Sequence, residues 1–321
     1  MPLLKMLIGL PGSGKSTFAQ KLVTKEQGWV HLSSDLIAKS SIFPGESIDT
    51  QQVFAEMYRQ TVVALRAGKD VIYDATNLTS RRRRSFLNRI KNFHAETEAV
   101  VFLTPYTILK ERNQKRADSE RVPEFVLERY IRSFQFPKMD EAFHKITIIS
   151  NPSFPATNQA IPTSEVRQIV LKPDVSYQEI LELYRSFQET KPLLELESVA
   201  HRSYRIFTSI SKKVLDSEEL ELLSWVALLH AIGKSYVRKN LPIEEDNFYG
   251  YEHVAMYLSY PILSSLQFPE HFIIDALLLI DEHVEALHSK RGKLKRRLGL
   301  KNYERLEIFL EAVSREGFNY A

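Results

Sequence analysis

The chain has 321 residues, 44% of them hydrophobic and 26% charged, with a formal net charge of +3 at neutral pH. That length and apolar content allow two domains, or one large one, with a sizeable core. Cysteine is absent, which excludes disulfides and thiolate metal sites and suits a reducing, cytoplasmic setting. No signal peptide is expected ahead of the first apolar run, and no apolar run is long enough to span a bilayer.

In chain order, Leu3–Ile8 reads as a strand, followed by a glycine-rich loop and then by helical spacing at Phe18, Leu22 and Val23. Trp29–Leu32 is a short strand ending at Ser33-Ser34-Asp35. A helix is predicted over 50–67, with Asp49 as its N-cap and Gly68 as its stop. Val71–Tyr73 is a third strand, ending at Asp74. Residues 80–93 read as helix, 99–103 as strand, 106–116 and 123–134 as helices around a charged connection, and 146–149 as a last strand. This alternation predicts an α/β domain over residues 1–150, a parallel sheet with helices on both faces. Ligands of such sheets bind beyond the C-terminal strand ends.

Residues 151–174, rich in Pro, Ser and Thr, read as a linker with one short extended segment, Ile169–Leu171. From Tyr177 the pattern is helical: Ile180, Leu183, Tyr184 and Phe187, then Leu220, Leu223, Val226 and Leu229, then Ile273, Leu277 and Ile280. An all-α domain is therefore predicted over 175–321.

Gly9-Leu10-Pro11-Gly12-Ser13-Gly14-Lys15-Ser16-Thr17 fits the Walker A pattern, in the strand–loop–helix context that gives the pattern its meaning. Glycines let backbone N–H groups surround phosphates, and the helix N-terminus adds partial positive charge. Gly9, Gly12, Ser13, Gly14, Lys15, Ser16 and Thr17 are thus candidates for binding ATP or GTP. Lys15 is expected on the β/γ oxygens and the Ser16 hydroxyl on Mg²⁺. Asp35 follows a strand end and reads either as a base that accepts a hydroxyl proton or as a helix N-cap. Asp74 reads as an acid that orients an acceptor or holds Mg²⁺ through water, or as a turn residue. Arg112 and Arg116, four apart on a predicted helix, form with Arg121 a candidate lid over a migrating phosphoryl group, or a solvated flank beside Glu111 and Glu120.

These motifs carry a resemblance. Gly9–Thr17, Ser33-Ser34-Asp35, Asp74-Ala75-Thr76-Asn77 with Arg81-Arg82 behind it, and Arg112-Asn113-Gln114-Lys115-Arg116 before Val122-Pro123 stand in one order. Together they resemble the kinase domain of phage-type 5′-OH polynucleotide kinases. The resemblance covers residues 1–150 and implies transfer of a γ-phosphate to a nucleic-acid 5′ end, RNA or DNA, in end repair. It makes Asp35 the general base, Lys15 and Ser16 phosphate and metal ligands, and Arg112 and Arg116 lid residues. Asp74 matches an acceptor-side acid, with Asn77 and Lys39 as further acceptor-binding candidates. One position departs from the pattern: the family's arginine three residues after the base is Ala38 here. Neighbouring Lys39 offers a point charge and not a bidentate fork.

Basic charge is uneven along the chain. Residues 81–132 hold thirteen Lys/Arg against seven Asp/Glu, and Lys290–Arg297 holds six basic residues and no acid. Both runs are candidate phosphate contacts or solvated helix faces. Arg81–Arg84 cannot all face one ligand at 100° per residue, so two readings remain: one or two of them on nucleic acid, or all of them solvated.

In the second domain, Val199-Ala200-His201, Leu228-Leu229-His230-Ala231-Ile232-Gly233 and Tyr249-Gly250-Tyr251-Glu252-His253 resemble the HD superfamily over residues 195–290. His201 and His230 match its metal-binding histidines, while Ala231 and Tyr251 replace a metal-ligating Asp and a His. The resemblance therefore implies a degenerate HD-like fold with phosphohydrolase activity unlikely, serving as a platform for nucleic acid or a partner. Asp281, Glu282 and His283 are the remaining candidate ligands. Two other readings stand beside the polynucleotide kinase: a P-loop kinase of a small hydroxyl metabolite or nucleoside, and a non-catalytic nucleotide-gated binding module.

Overall fold

The structure, a computed structural model, describes residues 1–40, 49–149, 163–187, 196–237 and 249–316. It divides into two compact units, one of residues 1–130 with 137–150, the other of residues 131–136 with 151–321.

The first unit is built on five strands, β1 (Leu3–Gly9), β2 (Trp29–Ser33), β3 (Asp70–Asp74), β4 (Glu96–Phe102) and β5 (Lys145–Ile149). All neighbouring pairs are parallel, in the order β2-β3-β1-β4-β5. β1 and β4 are central, and Met6–Ile8 and Ala99–Phe102 within them are apolar because both sheet faces are covered there. Leu4, Leu7, Ile8, Val100 and Val101 are almost fully buried. The order brings four strand ends to one edge: Gly9 pairs with Phe102, and Asp74 with both Leu7 and Ser33. Helices α1 (Lys15–Lys25), α2 (Ser34–Ser40), α3 (Thr50–Arg66), α4 (Ser80–Ile90), α5 (Tyr106–Gln114) and α6 (Glu124–Arg132) connect them, with α6 ending in residues of the second unit. Phe18 of α1 meets Phe102 edge-on, ring centroids 5.6 Å apart, over Leu7, Ala19, Ile72 and Val100. Asp49 caps α3 by accepting from the Gln51 N–H at 2.8 Å, and Gly68 follows that helix with φ +68°.

The second unit is helical: α7 (Thr163–Leu171), α8 (Tyr177–Ser186), α9 (Leu196–Ser211), α10 (Ser217–Leu229), α11 (Lys234–Val237), α12 (Tyr251–Ser265), α13 (Glu270–Ala286) and α14 (Arg291–Arg315), the last kinked at Gly299. Its core centres on Trp225, Tyr184, Phe207, Tyr257 and Phe309, with Phe134 and Phe136 from the 131–136 segment. A Cβ on Gly233 would lie 2.1 Å from the Tyr251 carbonyl oxygen, so only glycine permits the close approach to α12.

The expected extended segment at 169–171 is instead the end of α7. Ile169 and its neighbours follow the helical period, with Val166 and Val170 buried four apart. Residues 151–162 of the expected linker lie outside the described residues. The basic run at 290–297 forms the cap and first two turns of α14. Among the described residues, no helix is long and apolar enough to cross a membrane.

Candidate nucleotide and acceptor site

The loop after β1 is shaped by its glycines. A Cβ on Gly9 would lie 2.8 Å from Ser13 Oγ and 2.9 Å from Phe102 Cβ, so a larger residue cannot stand there. Gly12 and Gly14 have φ of +81° and +97°, in the left-handed region that glycine enters without strain. Gly14 is the N-cap of α1, whose first N–H groups have no intrahelical partner and face the loop's concavity. The Gly9 N–H donates to Thr76 O at 3.1 Å, and Thr104 beyond β4 donates its hydroxyl to Ser13 O at 3.0 Å. Thr104 carries no motif and escapes a sequence reading.

Lys15 opens α1 and is only 8% exposed. Its ammonium donates to Gly9 O at 2.9 Å and Leu10 O at 2.8 Å, and reaches Ser13 Oγ at 3.5 Å. Burial pushes its pKa down to about 8; the Asp74 and Asp35 carboxylates oppose that shift, and Arg116 adds to it. Phosphate oxygens are better partners for this cation than two neutral carbonyls. Ser16 and Thr17 are exposed in the first turn. The glycine cradle, the buried lysine and the exposed hydroxyl fit a nucleoside triphosphate. Ser16, with Asp74 near Lys15, supplies the hard oxygen donors that Mg²⁺ takes.

Asp35 lies in the first turn of α2, exposed, with one hydrogen bond from the Ser34 hydroxyl at 3.4 Å. It is not the N-cap: Ser33 Oγ accepts from the Leu36 N–H at 3.4 Å. A cap would have spent the carboxylate; here it stays on the solvent side of the strand edge, within electrostatic reach of Lys15. Asp74 is 3% exposed and pairs with His31 Nε2 at 3.1 Å. His31 of β2 was not singled out from the sequence. Strand alternation sets it on the face of its register partner Ile72, and so of Asp74 two residues on.

Arg112 and Arg116 do not share a helix face, because α5 stops at Gln114. Arg112 crosses the phosphate loop and donates to Gly12 O at 3.1 Å. Arg116, in the turn beyond the helix, donates to Glu120 O at 3.2 Å and acts on the Lys15 charge. Arg121 donates to Gln114 O at 3.0 Å and pairs with Asp118, so it is spent on closing the turn.

Three expected contacts are otherwise engaged. Asn77, buried with φ +49°, donates its amide to Leu7 O at 2.8 Å and Ala75 O at 3.3 Å. It anchors the turn after β3 to β1 and does not face an acceptor. Lys39 pairs with Glu120. Of the arginine run, Arg83 is fully buried, paired twice with Glu141 at 2.7 and 2.8 Å and donating to Asn77 O and Leu78 O. Arg84 pairs with Asp140. Only Arg81 and Arg82 remain exposed.

In the helical unit, His201 is exposed and packs edge-on against Tyr177. His230 and His283 are fully buried with ring centroids 5.3 Å apart, each bonded through Nδ1 to a carbonyl one turn back, Ala227 and Ile280. Tyr251 bonds His283 Nε2 at 2.8 Å. Burial lowers the pKa of both histidines, that of His283 to about 4. The other two candidate ligands are engaged as well. Asp281 pairs with His253 at 2.7 Å and accepts from the Phe136 N–H at 3.2 Å. Glu282 pairs with Arg297 at 2.6 Å. Arg297, expected on phosphate, is buried in that pair and bonds Glu285 too. No group of three or more His, Asp or Glu that could hold a metal occurs among the described residues.

Comparison with known proteins gives partial matches. Residues 4–137 match the family model described as an AAA domain. Over 147 residues the chain is 27% identical to Transcription factor bHLH140 of Arabidopsis thaliana, a match spanning 44% of this chain and 15% of that protein. Over 144 residues it is 22% identical to the Bifunctional polynucleotide phosphatase/kinase of Schizosaccharomyces pombe, spanning 44% and 32%. A solved structure, that of the Pnkp1/Rnl/Hen1 RNA repair complex, matches 41% of this chain and 43% of that one at 26% identity and a TM-score of 0.36. The chain therefore matches less than a third of the length of either curated relative. The five-stranded parallel sheet, the phosphate loop and the matched residues make the N-terminal unit a P-loop kinase-like domain, followed by a helical C-terminal region.

Proposed function

We propose that this protein is an ATP-dependent, Mg²⁺-requiring kinase that transfers a γ-phosphate to the 5′-hydroxyl end of a nucleic acid. One observation carries the reading: an uncapped, exposed carboxylate, Asp35, stands beside a phosphate loop whose lysine it influences, with Arg112 lying across the same loop. A hydroxyl bound at Asp35 gives up its proton to that carboxylate as its oxygen attacks the γ-phosphorus, and the bond from that phosphorus to the β,γ-bridging oxygen breaks, with ADP leaving. Lys15 and the loop N–H groups hold the β- and γ-oxygens, and Arg112 and Arg116 offset charge that develops on the migrating group. Ser16 and Asp74, the latter bonded to His31, would hold Mg²⁺, which would neutralise phosphate charge. The similarity to a polynucleotide phosphatase/kinase supports a nucleic-acid acceptor.

The test mixes the chain with γ-labelled ATP and oligonucleotides ending in 5′-OH or 5′-phosphate, RNA and DNA, and with free nucleosides. Label on 5′-OH strands alone supports the proposal. Label on nucleosides but on no strand favours a small-molecule hydroxyl kinase, the reading to which Ala38 and the engagement of Lys39 by Glu120 lend weight.

A further inference from the structure

Glu120 is the residue whose placement the proposed chemistry leaves unexplained. It ends the 3₁₀ turn Asp118–Glu120 between α5 and α6, in the segment that carries the lid arginines. Its carboxylate reaches eighty-one residues back to Lys39 on α2, 2.5 Å away, while its carbonyl accepts from Arg116. The pair with Lys39 holds the Glu120 pKa below the ordinary carboxylate range, and Arg116 contributes in the same sense. One acidic residue thus engages both the cation nearest Asp35 on the acceptor helix and a cation of the lid. Lys39 follows Asp35 by four residues, so both lie on one face of α2.

We infer that Glu120 is an internal stand-in for a phosphodiester of the acceptor strand, and that the acceptor displaces it to occupy Lys39. This rests on the proposed function and deepens it. A hydroxyl brought to Asp35 by a nucleic-acid end carries its nearest phosphodiester a few ångströms away, on the side where Lys39 stands. That anion and the Glu120 carboxylate compete for one ammonium. The pair is exposed on both sides, and such pairs are weak, so a phosphodiester can replace it at little cost. Replacement also frees Glu120 and the turn that holds Arg116. Acceptors lacking a phosphate leave the latch closed, so the pair discriminates strands from nucleosides without a bidentate arginine at position 38.

The test is a double-mutant cycle on the full chain, read by equilibrium binding of a labelled 5′-OH oligonucleotide with a non-hydrolysable ATP analogue present. The variants are Glu120→Gln, Lys39→Ala, the double variant and the reversed pair Lys39→Glu/Glu120→Lys. Glu120→Gln is expected to tighten oligonucleotide binding about twofold to fivefold, matching the usual worth of an exposed pair, with nucleoside binding unchanged. Lys39→Ala weakens oligonucleotide binding, and in that background Glu120→Gln gives no gain. The reversed pair keeps wild-type hydrogen-exchange protection of the 115–121 amides but does not restore oligonucleotide affinity. Independent, additive effects of the two single variants would overturn the inference, as would tightening of nucleoside binding by the same factor. A wild-type chain that binds strands but transfers no phosphate to them removes the kinase reading, yet leaves the latch to be decided by the cycle. A wild-type chain that binds no strand removes both.

Discussion

Lys15 is a cation held where water is excluded, and its depressed pKa has a measurable consequence. Near pH 8 the nucleotide-free lysine is about half neutral, whereas phosphates at the loop favour its charged form and raise the pKa again. ATP binding at pH 8.5 is therefore expected to take up protons, and affinity to fall as pH rises from 8 towards 10. Calorimetry in buffers of different ionisation enthalpy reads the uptake directly, and Lys15→Met should abolish it. Asn77 makes the opposite kind of prediction. Asn77→Ala removes a buried donor from Leu7 O and places alanine at positive φ, costing about 1–3 kcal/mol in urea unfolding. If stability held while acceptor binding was lost, its role would be in recognition after all. The loop residues were legible in the sequence because each meets a local requirement of its own: positive φ, close approach, first helical turn. Asn77 and Lys39 were not, because their partners, Leu7 and Glu120, lie 70 and 81 residues away.

Among the elements, α4 shows how composition misleads. Arg81–Arg84 read as a surface run, but the helix turns its third arginine inward onto Glu141. Removing one partner of a buried pair strands the other charge: Arg83→Met is expected to cost about 3–5 kcal/mol, and Arg83→Met/Glu141→Leu to regain much of it. Denaturant unfolding of the three variants decides. The strands were readable because a sheet covered on both faces needs apolar runs, and Met6–Ile8 of β1 and Ala99–Phe102 of β4 supply them. The helix α7 was missed because the Pro and Ser residues before it suggested continuing irregularity, while its buried stripe is only Val166 and Val170. The helix over 106–116 was drawn two residues too long and so took in Arg116, since nothing apolar marks where α5 stops at Gln114.

For the whole molecule, the alternation of strand and helix, followed by helix alone, foretold an α/β unit and then a helical one. The interior of the helical unit was harder to foresee, because its polar groups pair across helices: Asp281 with His253, Glu282 with Arg297, Arg305 with Glu219 and Asp275. Its buried histidines tie stability to pH. The pKa of His283 falls from an ordinary value near 6.5 to about 4, and burial holds that of His230 well below the ordinary value too. The unfolded chain therefore binds more protons between those limits, so the stabilisation is present above about pH 6.5 and is lost as pH falls towards 4. Hydrogen exchange of α10 and α13 amides should show protection declining between pH 7 and pH 5, with a shallower decline in His283→Gln.

The central claim is that Asp35 takes the acceptor's proton beside a phosphate loop that binds ATP without it. The most direct measurement is transfer from γ-labelled ATP to a 5′-OH oligonucleotide by wild type and Asp35→Asn, with ATP affinity measured alongside. Asp35 is exposed and caps nothing, so the substitution leaves the fold intact. The account predicts a loss of transfer of about 10²–10⁴-fold with ATP affinity retained. Transfer by Asp35→Asn at the wild-type rate would contradict it.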